Sequence, residues 1–219
     1  MVSLAISPSV LLMCGLPASG KTTTAGRIHA HAAGILIRSC DVYQSLGISL
    51  PDWARRTKGF TRDVAEYERE RDRAYGEIAR RLEAALVSTR ELIVVDAVHG
   101  EWAKRQVMYR LCEAYGRTPV LVWCQCDDGE EIRRRFQRRR GREWEPENEA
   151  SDLSVFHHIA GLWEDPRSDP HPVSIAAHDT LRGELRLVRG TARWVVDLLR
   201  ASVGAQPLPA ALPTLGSRR

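Results

Sequence analysis

A chain of 219 residues is long enough for one compact domain with a sizeable apolar core. Hydrophobic residues at 43% and charged residues at 27% exclude wholesale disorder, and no run of 18 apolar residues offers a transmembrane span. The net charge of +4 rests on 32 basic residues, of which only Lys21, Lys58 and Lys104 are lysine; arginine suits bidentate phosphate contacts, although a GC-rich genome gives the same bias.

The segment Met1–Cys14 lacks a basic leader region and does not read as a signal peptide, so a cytoplasmic protein is expected. Its end, Ser9–Cys14, reads as a buried strand. Five cysteines, an odd number spread over apolar segments, argue against a disulfide framework. Cys124 and Cys126 share one face of a strand-like run and read as small buried hydrophobes rather than metal ligands.

Directly after the first strand comes Gly15-Leu-Pro-Ala-Ser-Gly-Lys21-Thr22, a full G-x-x-x-x-G-K-[ST] pattern opening a helical stretch. Glycines let the backbone approach phosphate oxygens, and the helix N-terminus aims its N–H groups at the anion. Gly15, Pro17, Ala18, Ser19, Gly20, Lys21, Thr22 and Thr23 are therefore the expected nucleotide contacts. Lys21 would reach the β- and γ-phosphates of ATP, and the Thr22 hydroxyl would ligate Mg²⁺. His29 and His31 read as ordinary positions on the first helix.

Ile35–Arg38 is the second strand, and Asp41 follows it where a phosphotransferase needs a base for the attacking hydroxyl. The alternative for this residue is a cap on the next helix. Tyr43–Arg62 is irregular, basic and aromatic, an acceptor-binding lip or a solvated loop. Val64–Leu86 repeats Val64, Tyr67, Ala74, Ile78, Leu82 and Ala85 at helical spacing. Leu92–Asp96 is an apolar strand ending in a carboxylate, placing Asp96 at the Mg²⁺ site with Thr22. His99, three residues on, is a candidate acceptor contact or a plain loop histidine. Glu101–Tyr115 repeats Val107, Leu111 and Tyr115 as a helix.

Val120–Cys126 is the next strand. Seven arginines then fall within residues 133–142. Asp127 is the expected helix cap, and Glu130 and Glu131 suit the positive first turn. Ile132 and Phe136 face a core. Arg135 and Arg139, four apart, share a face and are expected to grip a transferring phosphoryl group as a lid. Arg138–Ala150 is charged and without apolar periodicity except for Trp144. The Asp152–Trp163 helix carries His157 and His158, read as lid or surface packing. Val173–Ala176 is a strand, Leu185–Leu199 a helix, and residues 204–219 read as a disordered tail behind a domain spanning residues 1–203. Strand–helix alternation argues for a parallel sheet covered on both faces.

GLPASGKTT, Asp41 after strand two, VVDA with Arg105 nine residues beyond Asp96, and R-F-x-x-R in the lid helix together resemble the small P-loop kinases that phosphorylate hydroxyls. Among these are seryl-tRNA kinase, polynucleotide 5′-kinases, zeta-toxin-like kinases and antibiotic kinases. The resemblance spans roughly residues 9–170 and is nearest to the seryl-tRNA kinase branch and the related Elongator-associated tRNA-binding ATPase. Those motifs include Trp163-Glu-Asp-Pro166, an aromatic-Glu-x-Pro element after the lid. It implies a five-stranded sheet in the order 2-3-1-4-5, Mg-ATP and Asp41 as base; Arg105, which matches the spacing, is placed on the acceptor side with Asp41 and, from its own position, His99. Polynucleotide kinases carry arginine three residues after this aspartate, where this chain has Gln44. A small-molecule hydroxyl is therefore the leading acceptor, tRNA or another RNA the second, and an ATP-gated binding protein the third reading. A monomer or homodimer with no membrane partner is expected.

Overall fold

The computed structural model describes residues 9–48, 64–140 and 146–204, with side chains except those of residues 140–151. The elements in chain order are β1 (Ser9–Cys14), α1 (Lys21–Ala32), β2 (Ile35–Arg38), α2 (Ser39–Ser45), α3 (Val64–Ser88) and β3 (Ile93–Asp96). They continue with α4 (Trp102–Ala114), β4 (Thr118–Gln125), α5 (Gly129–Arg140), α6 (Pro146–Gly161), a 3₁₀ turn at Pro166–Ser168, β5 (Ser174–Asp179), β6 (Glu184–Arg189) and α7 (Arg193–Gly204).

Six strands form one sheet in the order β2-β3-β1-β4-β5-β6. The first five are parallel, and β6 runs antiparallel to β5. The central strands are continuous apolar runs because helices cover both faces. Leu11, Met13, Val94, Val120 and Val122 pack toward α1 and α7, against Ala25, Ile28, Val195 and Leu199. Val10, Leu12, Ile93, Val95 and Leu121 pack toward α3 and α4, against Ile78, Leu82, Met108 and Tyr109. Alternate residues of one strand thus feed two cores. Cys124 and Cys126 are buried, and all five cysteines are free.

The sixth strand corrects the helix expected over 185–199. Glu184-Leu-Arg-Leu-Val-Arg alternates with period two, which the three-residue spacing of Leu185 and Val188 hides. The Asp179 carboxylate accepts from the N–H groups of Leu181 and Arg182 at 2.9 and 3.0 Å, building the turn that reverses the chain. Gly190, at φ 82°, then ends the strand where a Cβ would lie 2.2 Å from Ser174 Oγ. Only beyond it does helical spacing begin.

Helix α4 is also rotated from expectation. It buries Arg105, Met108, Tyr109 and Cys112, whereas Val107 is 53% exposed. An arginine in the buried stripe disguises it. In α3, Arg71 interrupts the apolar stripe in the same way, held by Glu68 at 2.5 Å and Glu101 at 2.8 Å. No described helix is long and apolar enough to cross a membrane.

Candidate active site

β1 delivers the chain into the loop at Gly15, whose N–H donates to Val98 O at 3.0 Å. A Cβ at Gly15 would lie 2.4 Å from Cys124 O, so the loop can hug β4 only with glycine here. Ser19 N–H donates to Leu16 O at 3.1 Å, and Ala18 takes a left-handed φ of 61°. The first helical bond of α1 runs from Thr24 N–H to Gly20 O at 3.0 Å. The N–H groups of Lys21, Thr22 and Thr23 therefore lack intrahelical partners and face outward as an anion site. Ser19 Oγ is buried with no hydrogen-bond partner. Lys21 Nζ donates to Leu16 O at 2.8 Å inside this cradle. Burial pushes its ammonium pKa down, opposed chiefly by Asp96.

Asp96 ends β3 and is almost fully buried. Burial raises its carboxyl pKa, with Lys21 and a hydrogen bond from the Thr22 hydroxyl pulling the other way. Among the described residues, no group of three or more His, Cys, Asp or Glu side chains gathers as a metal cage. Thr22 and Asp96 are two oxygen donors, a set that fits a hard cation whose remaining ligands are phosphate oxygens and water. The orphaned Ser19 hydroxyl and the free N–H groups fit the phosphates themselves.

Asp41 lies in the first turn of α2 rather than at its cap. Its carboxylate receives both arms of Arg38, from Nε and Nη2 at 2.9 Å each. Arg38 is the register partner of Asp96 across the β2–β3 ladder, and its charge acts on Asp96. The Asp41 side chain remains 43% exposed. Arg38 escaped the sequence reading; the signal was its spacing, three residues before Asp41 and at the end of a strand.

Helix α5 is capped by Asp128, not Asp127: Asp128 Oδ1 accepts from the N–H groups of Glu130 and Glu131 at 2.8 and 3.0 Å. The cap falls one residue later because the helix starts at Gly129. Ile132 and Phe136 bury against Ala18 and Cys126 and dock the helix on the loop. Arg135 does not reach freely into the site. It donates to Ala18 O at 3.0 Å, Thr180 Oγ1 at 2.7 Å, Thr180 O at 3.1 Å and Glu131 at 2.9 Å. Arg139, in contrast, acts on both Lys21 and Asp96 through its charge. Thr180, which the sequence did not flag, roofs the loop by donating to Ser19 O at 2.8 Å. Loop, α1, α5 and the β5–β6 turn line an open cavity of about 710 Å³. Six cationic residues line it (Lys21, Arg27, Arg135, Arg138, Arg139, Arg182) against one carboxylate, Glu131.

Two acceptor-side expectations are corrected. Arg105 is fully buried and clasped by Asp169 at 2.6 and 2.8 Å, with Nη1 donating to His99 O at 2.9 Å. His99 is likewise inaccessible, with Nδ1 on Met13 O at 2.7 Å. Both are interior struts: Arg105 is neutralised by Asp169, and His99 is packed between Met13 and the Tyr75 ring. Pro51, Trp53 and most of the expected acceptor lip, Trp144, Arg142 and the tail beyond 204 lie outside the described residues.

A family model described as an AAA domain matches residues 10–157. No curated protein sequence matches the chain. Several solved structures match it. The structure of a gluconokinase from Sinorhizobium meliloti 1021 has a TM-score of 0.50 at 19% identity, covering 90% of this chain and 93% of its own. A sugar kinase from a Janibacter species gives 0.55 at 16%, covering 90% and 94%. Chaetomium thermophilum Kti12, solved with ADP-AlF₃, gives 0.54 at 18%, covering 89% and 98%. At such identities the likeness is one of fold. The chain belongs to this AAA-domain family, and its fold is that of the small P-loop kinases.

Proposed function

We propose that this protein transfers the γ-phosphoryl group of ATP to a hydroxyl of a small-molecule acceptor. The observation that carries this reading is the cationic cavity over the loop, lined by Lys21 and Thr22, which also act on Asp96, whose register partner Arg38 holds Asp41. A cavity with six cations and one carboxylate suits a triphosphate polyanion.

In this reading the N–H groups opening α1, Ser19 Oγ and Lys21 bind the phosphates. Thr22 and Asp96 would hold Mg²⁺, which when bound neutralises charge building on the phosphate oxygens. Arg139 adds charge that strengthens as negative charge develops on the transferring group. Arg38 fixes the Asp41 carboxylate, which orients the acceptor hydroxyl and takes its proton as the new O–P bond forms. The bond from the γ-phosphorus to its bridging oxygen breaks, and ADP leaves with that electron pair. Arg135 and Thr180 hold lid and loop together and exclude water.

The arginine block favours a second reading, in which RNA binds α5. Its outward residues Arg133, Arg134 and Arg138 are 50, 59 and 64% exposed, but each is paired to Glu130 or Glu131, which weakens their pull on a phosphate backbone. Transfer of label from γ-³²P-ATP to a panel of small-molecule alcohols, with tRNA as a parallel acceptor, tests the choice. Label on a small alcohol is expected; label on tRNA alone, or salt-sensitive tRNA binding without transfer to any acceptor, would replace the first reading with the second. A cytoplasmic location is part of the proposal and agrees with the five free cysteines.

A further inference from the structure

The ladder between β1 and β3 stops short of the phosphate loop. It pairs Val10 with Ile93, Leu11 with Val94 and Leu12 with Val95, whereas on its other side β1 stays paired to β4 as far as Cys14 and Trp123. The next residues in register, Met13 and Asp96 at the end of β3, are no longer paired by the ladder.

The His99 imidazole fills that place, with Nδ1 on Met13 O at 2.7 Å. A carbonyl only accepts, so Nδ1 carries the proton. The main chain of the same turn adds two bonds: the Cys14 thiol donates to His99 O at 3.3 Å, and Gly15 N–H donates to Val98 O at 3.0 Å. Three successive residues, Met13 and Cys14 at the end of the strand and Gly15 at the start of the loop, are thus fastened to the turn that leaves Asp96. The turn is itself held from behind. His99 N–H donates to the Tyr75 hydroxyl at 2.9 Å, and Arg105, clasped by Asp169, holds His99 O. His99 adopts φ 46°, a left-handed conformation that histidine and asparagine enter more readily than most residues. Nε2 is buried with no hydrogen-bond partner in the structure, so the ring is used through Nδ1 alone.

We propose that His99 is a positioning residue: its bond to Met13 sets the spacing between the phosphate loop and Asp96, and thereby the readiness of Thr22 and Asp96 to take a divalent cation together with the nucleotide. This rests on the reading of the site as one for a Mg²⁺-nucleotide. Groups behind the ligands of a metal act by fixing the ligands' orientation, at a cost of about 10- to 100-fold in metal affinity when lost; His99 does so through the main chain at Met13 and the turn after Asp96.

Asparagine places an N–H donor at the same δ position and tolerates the same backbone, whereas glutamine moves the donor one bond out and alanine has none. Calorimetric titration of ADP into the full chain, with Mg²⁺ and with EDTA, reads the gain in affinity that Mg²⁺ confers. In His99→Ala and His99→Gln that gain should shrink by about tenfold or more, while ADP affinity in EDTA stays within about twofold. His99→Asn should keep the gain within about twofold of the parent, a rescue that simple cavity filling would not give. A folded His99→Ala protein with an undiminished gain overturns the proposal. Should the alanine variant fail to fold, equal gains in the Asn and Gln variants overturn it. A parent protein whose ADP affinity is indifferent to Mg²⁺ sinks the site reading itself, and the proposal with it.

Discussion

At the scale of single residues, the proposed mechanism separates groups that bind from groups that react. Lys21 is buried in the cradle of its own loop and touches Leu16 O, with no part in either apolar core. Lys21→Ala should therefore fold normally and lose phosphoryl transfer by about 10²-fold or more, the scale of removing one preorganised charge contact. Turnover assays beside a melting curve check both halves. Asp41 has a different place. Its pair with Arg38 is solvent-exposed, so breaking it costs less than about 1 kcal/mol. Asp41→Asn keeps the shape and removes the proton acceptor. Nucleotide affinity and melting temperature should persist while transfer falls by roughly 10²–10⁴. A marked drop in melting temperature would make Asp41 structural. The places of Lys21, Thr22 and Asp41 in the fold were legible as sequence, because motif spacing and strand ends announce them. Arg38 and Thr180 were not, because their roles come from a neighbouring strand and from a turn more than 150 residues away in the chain.

At the scale of elements, α5 carries two kinds of arginine that composition cannot tell apart. Arg135 fastens the helix to Ala18 and Thr180, so Arg135→Ala should cost about 1–3 kcal/mol of stability and weaken nucleotide binding together with turnover. Arg139 faces the charges of the site, and Arg139→Ala should lower kcat more than affinity. Arg133, exposed and paired with Glu130, should be nearly neutral. Equal effects at all three, read as kcat, Kd and melting temperature, would remove the distinction. Helical periodicity placed α5 correctly and turned Ile132 and Phe136 inward. It failed for α4, where Arg105 occupies the middle of the buried stripe, and for β6, where a three-residue coincidence imitated a helix.

At the scale of the molecule, Arg105 ties α4 to the segment before β5 and to the turn after β3. Arg105→Leu leaves Asp169 buried and uncompensated, and urea unfolding should show a loss of about 3–5 kcal/mol. An acceptor-binding role predicts the opposite pattern, with stability unchanged and the acceptor KM raised. The same interior makes stability depend on acid. Burial holds His99 down to about 4 from an ordinary 6.5. As pH falls, the unfolded chain takes the proton first. Stability from this group is thus complete above pH 6.5, is lost between 6.5 and about 4, and levels off below. The loss approaches about 3 kcal/mol, and His99→Asn should flatten that part of the stability–pH curve.

The sequence by itself determined the glycine-rich loop, the Asp96 strand, the five parallel strands and the arginine-rich helix α5. Each is written in contiguous residues whose spacing follows from local geometry: glycines where a loop must approach phosphate, apolar runs where a strand is covered on both faces. Tertiary structure alone decided which polar residues face the site and which brace it. Arg105 and His99 stand close to Asp96 in the chain and look like acceptor contacts, yet both are buried. Whether a charged side chain meets solvent or a carboxylate depends on partners such as Asp169, 64 residues from Arg105 in sequence, which no local pattern encodes.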